Sequence, residues 1–303
     1  MTTIVEATGL TKRYGKVTAV DDATFAVRAG TITGLLGRNG AVKTTLMHLI
    51  TGQEFATSGS IALLGESPVE NAGVLQHTCF IKESQRYPDD FKPKHVFATA
   101  PRFFANWDSA FARELINEFR LPVDRRIKKL SRGQLSSVGV IVGLASRAPL
   151  TIFDEPYLGL DAVARQTFYD RLLADYAEHP RTVILSTHLI DEVADLLEHA
   201  IVVDSGRVII DSSVDALRAD AATIAGPASV VDQATRSLTV LHREALGGFV
   251  SVTVTNVSDD DRRAARDAGL EVSAVSLQQL IIRQTGGAPD HHTHSTLTEE
   301  ASR

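Results

Sequence analysis

Residues 37–45, GRNGAVKTT, follow the short apolar run TITGLL (31–36) and lead into KTTLMHLI (43–50), whose apolar residues have helical spacing. Strand, glycine loop, helix is the arrangement in which successive backbone N–H groups and the positive end of a helix surround an anion, nucleotide phosphate above all. In the pattern GxxxxGK[ST], Gly37 supplies the first turn, Lys43 reaches the β- and γ-phosphates and Thr44 offers its hydroxyl to Mg²⁺. Arg38, Asn39, Gly40, Ala41, Val42 and Thr45 complete the candidate cradle. One letter departs from the pattern: Val42 stands where it has glycine. A β-branched residue suits neither a positive φ nor a close approach of ligand to backbone. If φ is positive at Val42, strain of about 1–3 kcal/mol is expected. Confined to the bound state, that strain would weaken affinity about five- to 150-fold.

The remaining sequence narrows the class. With 303 residues, 44% hydrophobic and 22% charged, the chain has a globular composition and room for two domains. A net charge of -6 offers no basic field, so nucleic acid is not expected as a partner. The single cysteine, Cys79, excludes an internal disulfide and a cysteine-based zinc site; beside Phe80 and Ile81 it reads as a small buried residue, in keeping with a reducing cytoplasm. The start MTTIVEATGLTKRYG lacks the basic and apolar segments of a signal peptide. Apolar runs such as VGVIVGLA (138–145) fall short of the ~20 residues that cross a bilayer, so a membrane role would come through a partner.

Residues 3–28 alternate like two β-strands about a turn at Tyr14-Gly15-Lys16, which predicts an antiparallel start. Across 84–129 the aromatics Phe97, Phe103, Phe104, Trp107, Phe111 and Phe119 sit among charges and prolines at near-helical spacing, which predicts an inserted helical subdomain of about 84–146. From Ser131 onward helix and strand alternate: a helix to Ser146, LTIFDEP (150–156), a helix over 162–178, TVILSTH (182–188), the helix LIDEVADLLEH (189–199), then AIVVDSG and RVIID. That alternation implies a parallel sheet. A cassette of 1–215 is then followed by a small α/β accessory domain at 216–285. Its expected strands are 249–255 and 270–276, and its expected helices 259–269 and 277–284. The polar, aperiodic tail 286–303 is expected to be disordered, with His291, His292 and His294 solvated rather than metal-bound.

Two further motifs carry chemistry. LTIFDE (150–155) is an apolar strand ending in adjacent carboxylates: Asp154 is placed to hold Mg²⁺, through water, and Glu155 to polarise an attacking water as general base. Taken alone, an ordinary acidic turn reads equally well. LSRGQ (130–134) stands at a helix start, where Ser131 is also a common N-cap residue.

The order of these motifs resembles that of the ATP-binding cassette (ABC) ATPases over residues 4–215: Tyr14, the phosphate loop, a helical insertion, LSRGQ, the Asp154-Glu155 strand, Gly159-Leu160-Asp161, and a strand ending in Ser186-Thr187-His188. LSRGQ is similar to the family's LSGGQ signature. The resemblance implies an α/β P-loop NTPase of ABC type, with an antiparallel β subdomain, the helical insertion and the C-terminal α/β domain, binding ATP and Mg²⁺. Tyr14 would stack on adenine. Ser131, Gly133 and Gln134 would meet the γ-phosphate of a nucleotide held by a second subunit, favoured by the helix dipole. Asp161 would communicate across the dimer, and His188 would contact the γ-phosphate and position the water. The family's metal-sensing glutamine falls by position on Glu83, with Gln85 as runner-up. Lys82, Arg86 and the neighbouring aromatics line either the groove for a permease helix or the helical subdomain's own packing. The resemblance further implies a separate transmembrane permease, a homodimer or heterodimer of ATPase subunits, and a peripheral place on the inner membrane face. Single cassettes with a small C-terminal extension resemble drug, antibiotic or lipid exporters, with importers still open. Because Glu155 and His188 share the site of Val42, a hydrolytic site of reduced affinity is the preferred expectation. A soluble or non-hydrolysing module is the alternative.

Overall fold

The alternation of the first 28 residues builds a hairpin: β1 (Thr3–Tyr14) and β2 (Val17–Arg28) pair antiparallel, and β4 (Ser58–Leu63) joins the other edge of β1. The computed structural model describes residues 2–37, 40–82 and 85–285. They fall into two compact units, one ending at Leu217 and one beginning at Arg218.

The first unit is built around a second sheet. Among the described residues it holds β3 (Ile32–Leu36), β5 (Thr78–Ile81), β6 (Leu150–Asp154), β7 (Thr182–Thr187), β8 (His199–Asp204) and β9 (Arg207–Ser213), in the order β5-β6-β7-β3-β8-β9. All are parallel except β9, which turns back along β8. Every residue of β3, β6 and β7 is buried, as expected of parallel strands covered on both faces. Helix α1 (Gly40–Ile50) lies between the two sheets: its Leu46, Met47, Leu49 and Ile50 share one core with Val5 and Leu10 of β1 and with Leu35, Ile152, Ile184 and Ile201. The short α2 (Ala72–Leu75) precedes β5, whose Cys79 is buried, its thiol pushed up to about 12 by desolvation.

Between β5 and β6 come α3 (Pro93–Thr99), α4 (Ser109–Glu118) and α5 (Arg132–Ser146). Of the aromatics there, Phe97 and Phe111 are buried whereas Phe103 is exposed. Asp108 caps α4, accepting from the N–H groups of Ala110 at 2.8 Å and Phe111 at 2.9 Å and pairing with Arg147 at 2.8 Å. The Phe111 N–H and then the Arg147 charge hold its carboxyl below the ordinary range. A depressed carboxylate stabilises above its unfolded pKa and loses that contribution as pH falls through the folded one. Asp108→Ala is therefore expected to cost about 0.5–2 kcal/mol at neutral pH. In thermal melts, its difference from the parent should shrink on acidification.

Helix α6 (Ala162–Glu178) has its predicted bounds, but the expected helix 189–199 is cut to α7 (Ile190–Val193). The chain is recaptured by the sheet: the Glu198 N–H bonds to Ile32 O at 3.0 Å, and His199 opens β8. After α8 (Val214–Asp220), the second unit runs β10 (Ala221–Pro227), α9 (Ala228–Ala234), β11 (Thr239–Leu246), β12 (Phe249–Thr255), α10 (Asp259–Asp267), β13 (Glu271–Ser273) and α11 (Leu277–Gln284). Its antiparallel sheet, ordered β11-β12-β10-β13, closes a split β-α-β layout over its own core of Ile224, Val231, Val252, Val254 and Leu270. The expected strand 270–276 is reduced to three residues, and β10, α9 and β11 had no counterpart in the sequence reading. The alanine-rich β10 (AATIAGP) has weak strand propensity and owes its form to partners on both sides. Among the described residues, no helix is long and apolar enough to cross a membrane.

Candidate functional site

Strand order decides where the chemistry gathers. β7 lies between β3 and β6, and Leu36 pairs with Thr187 while Asp154 pairs with Ser186, so three strands end level at one edge. Their following residues open into the crevice beyond the carboxyl ends, where open α/β sheets bind ligands.

At the end of β3, Gly37 has φ +146°, and a Cβ there would stand 2.1 Å from the carbonyl oxygen of Val203. Only glycine makes this turn. Arg38 and Asn39 lie outside the described residues; Gly40 opens α1, and Ala41 is in its first turn. Lys43 follows, only 1% exposed, donating to Gly37 O at 2.7 Å with its Nζ 3.5 Å from Glu155 Oε1. A buried ammonium is costly unless acceptors and an opposite charge surround it. Here a carbonyl and a carboxylate stand where phosphate oxygens can replace them. Thr44 Oγ1 donates to Asp154 Oδ2 at 2.9 Å, joining the phosphate loop to β6, and Thr45 is buried one residue on.

A hydroxyl beside a carboxylate is a hard-oxygen donor pair suited to Mg²⁺. Among the described residues no group of three or more His, Cys, Asp or Glu side chains could hold a metal. A cation here would thus share its shell with substrate oxygens and water, the usual habit of Mg²⁺. The residues fit a Mg²⁺–nucleotide.

Val42 corrects the expectation of a strained loop. It lies in the first turn of α1, in right-handed helical geometry that any L-residue adopts, and its 5%-exposed side chain belongs to the core with Leu35, Leu46 and Ile201. The positive φ on which the strain and the affinity loss depended does not occur, and the side chain points into protein.

Beyond Asp154 the backbone turns left-handed at Glu155 (φ 48°), a conformation costing about 1–3 kcal/mol in a non-glycine residue and most often kept at functional sites. The turn brings the Glu155 carboxylate under His188: Oε2 lies 2.8 Å from His188 Nδ1. Burial pushes the Glu155 pKa up, opposed by the charges of Lys43 and His188. The Tyr157 hydroxyl, absent from the sequence-based candidates, donates to the same Oε2, sits 2.9 Å from His188 Nδ1 and accepts the His188 backbone N–H at 3.1 Å. Its one signal in the sequence is a phenol just past Glu155-Pro156.

The other candidates have local roles as well. Ser131 and Gln134 form a capping box at the start of α5: the Ser131 hydroxyl accepts the Gln134 N–H at 3.2 Å, and the Gln134 side chain accepts the Ser131 N–H at 3.1 Å. Gly133 is required by close packing, since a Cβ would stand 2.4 Å from Gly159 O. These residues touch one another and the turn after Glu155. Asp161 caps α6 through the Ala164 N–H at 2.8 Å. Tyr14 ends β1 about half exposed, its ring centroid 4.9 Å from the Lys12 ammonium. Glu83 lies outside the described residues. Gln85 borders a cleft of about 350 Å³ with Lys82, Arg86, Arg132, Ser136 and Pro156, directly beside Glu155 in sequence. Next to it, Phe80, Tyr87, Phe91, Phe103 and Phe104 line an apolar groove of about 790 Å³.

Comparison with known proteins adds an independent line. The ABC transporter family model matches residues 20–158, from β2 through the turn after Glu155. The ABC transporter ATP-binding protein YtrB of Bacillus subtilis is 24% identical over 94% of this chain and 99% of its own length. The doxorubicin resistance ATP-binding protein DrrA of Mycobacterium tuberculosis is 30% identical over 71% of this chain and 67% of its own. A solved ATP-binding subunit of an ABC transporter superposes with a TM-score of 0.62, covering 71% of this chain and 92% of that one at 24% identity, a likeness of fold. Motif order, the converging strand ends and these relatives lead to one conclusion: the chain belongs to the ABC transporter family, as an ATP-binding ABC ATPase.

Proposed function

We propose that the chain hydrolyses Mg-ATP to power a separate transmembrane permease, most simply an exporter. The observation that carries this reading is one connected set of side chains at the carboxyl edge of β3, β7 and β6: Lys43 against Glu155, Glu155 against His188, and Thr44 against Asp154. Gly37, Arg38, Asn39, Gly40, Ala41, Val42 and Thr45 supply the backbone of the phosphate cradle, and Lys43 exchanges its present acceptors for β- and γ-phosphate oxygens. Thr44 and Asp154 hold Mg²⁺, Asp154 through water, with Glu83 or Gln85 adjoining as its sensor. Bound Mg²⁺ neutralises charge on the transferring phosphoryl group. Glu155 polarises the attacking water, and His188 contacts the γ-phosphate. Tyr14 stacks on adenine.

Ser131, Gly133 and Gln134, at the positive end of α5, face the nucleotide of a second ATPase subunit, identical or different, so that ATP draws the two together. The apolar groove beside Gln85 receives a segment of the permease, which places the chain on the inner membrane face. Export is supported by the names of relatives that are Nod factor export ATP-binding proteins. The tail 286–303 and the second unit have no assigned part.

The test is purification of the tagged full chain from solubilised membranes of its host, followed by ATPase assay of the recovered complex in vesicles. A polytopic membrane protein identified in stoichiometric amount, with turnover higher in the complex than in the chain alone, is expected. Full turnover from a chain found only in the soluble fraction would favour a soluble ABC ATPase instead.

A further inference from the structure

Tyr157 is 3% exposed, yet its one polar atom meets three partners from two strands' ends: Glu155 Oε2, His188 Nδ1 at 2.9 Å and the His188 N–H at 3.1 Å. A buried phenol needs a hydrogen-bond partner, but one would suffice. Its ring also lies edge-on to His188, with centroids 5.6 Å apart and planes at 65°. The turn that carries it is held independently: Leu158 N–H bonds to Glu155 O at 3.1 Å, Leu160 N–H to Tyr157 O at 3.0 Å, and the Ser136 hydroxyl to Leu158 O at 2.6 Å. The hydroxyl is thus a fixed point on a rigid support, whereas the His188 side chain is 53% exposed and is held at its Nδ1 by Glu155 and Tyr157.

One assignment satisfies every contact. The backbone N–H of His188 donates to the Tyr157 oxygen, the Tyr157 O–H donates to Glu155, and His188 Nδ1–H is shared between Glu155 Oε2 at 2.8 Å and the Tyr157 oxygen at 2.9 Å. In neutral imidazole this leaves Nε2 as an acceptor for water, and a proton on Nε2 as well supplies the N–H that a γ-phosphate oxygen can accept. We infer that Tyr157 is a positioning residue for hydrolysis, its hydroxyl locking Glu155 and His188 into one unit and, together with Glu155, holding the Nδ1–H tautomer of His188. This rests on the hydrolytic reading of the site. The hydrogen bonds of the phenol go to Glu155 and His188, the two residues assigned to the attacking water and the γ-phosphate, so its contribution falls on turnover and not on nucleotide binding.

The test is Tyr157→Phe in the full chain, which keeps the ring and removes the oxygen. Losing a hydrogen bond to a charged group is expected to lower kcat about 10- to 100-fold, with KM for ATP within about twofold. The second readout is the ¹⁵N NMR signature of His188 at fixed pH, assigned by its loss in His188→Gln: the parent should show Nδ1–H, and the variant a mixture of tautomers. Unchanged kcat, or a fall in kcat with the His188 signature unaltered, overturns the inference. Should phenylalanine not fold there, Tyr157→Met gives the same comparison. If the parent shows no turnover sensitive to Glu155→Gln, the hydrolytic reading itself fails. The His188 signature alone then decides: a tautomer shift supports the positioning role, and an unchanged spectrum overturns it.

Discussion

Glu155→Gln is expected to lower ATP turnover about 10²- to 10⁴-fold, the usual contribution of a positioned general base, while Mg-ATP binding is retained. The amide keeps the shape of the carboxyl and can still accept from Tyr157, so the turn at φ 48° and the contact with His188 persist. What disappears is the charge and the basic oxygen that take up a proton from water. The same change removes the anion 3.5 Å from Lys43 Nζ, which frees the ammonium for phosphate. Phosphate-release kinetics beside a nucleotide titration separate the two effects. Turnover within tenfold of the parent would assign the base to another group; loss of binding instead would make Glu155 a structural counter-ion of Lys43.

Val42→Gly, although it restores the glycine of the usual pattern, is expected to destabilise the first unit. Burying a valine side chain is worth about 1.5–3 kcal/mol and glycine costs about 0.4 kcal/mol more than valine within a helix, for a total of roughly 2–3.5 kcal/mol. In a unit of this size that corresponds to a fall in Tm of about 5–15 °C. Nucleotide affinity should stay within about twofold, because the side chain is buried in the core that also holds Leu35 and Leu46. Calorimetry and a nucleotide titration of the pair decide the matter. A glycine variant of equal stability that binds ATP tenfold more tightly would mean that valine strains the bound loop after all.

The contrast between these variants shows what kind of information each residue carried. Glu155, Lys43, Thr44, Asp154 and His188, which the structure brings together, could be singled out as candidates because the chemistry of phosphate transfer restricts residue type, and type is written in the sequence. Val42 was misread because its meaning depends on surroundings, and the same letter is strain in a positive-φ turn and packing in a helix. Tyr157 was overlooked for the same reason, since nothing local tells a core phenol from one that bridges two polar side chains.

By itself, the sequence determined the local periods and the motif order. Helices 162–178 and 277–284 and strand 249–255 have their predicted bounds because side-chain periodicity is a property of neighbouring residues. The tertiary structure alone decided which strands stand side by side. Placing β7 between β3 and β6 brings Thr44 to Asp154 across 110 residues and His188 to Glu155 across 33. It also made strands of β10 and β11 and ended the helix before His199. The physical reason is the same throughout: burial, register and hydrogen-bond partners are set by chain segments far apart in sequence, and they override local propensity wherever that propensity is weak.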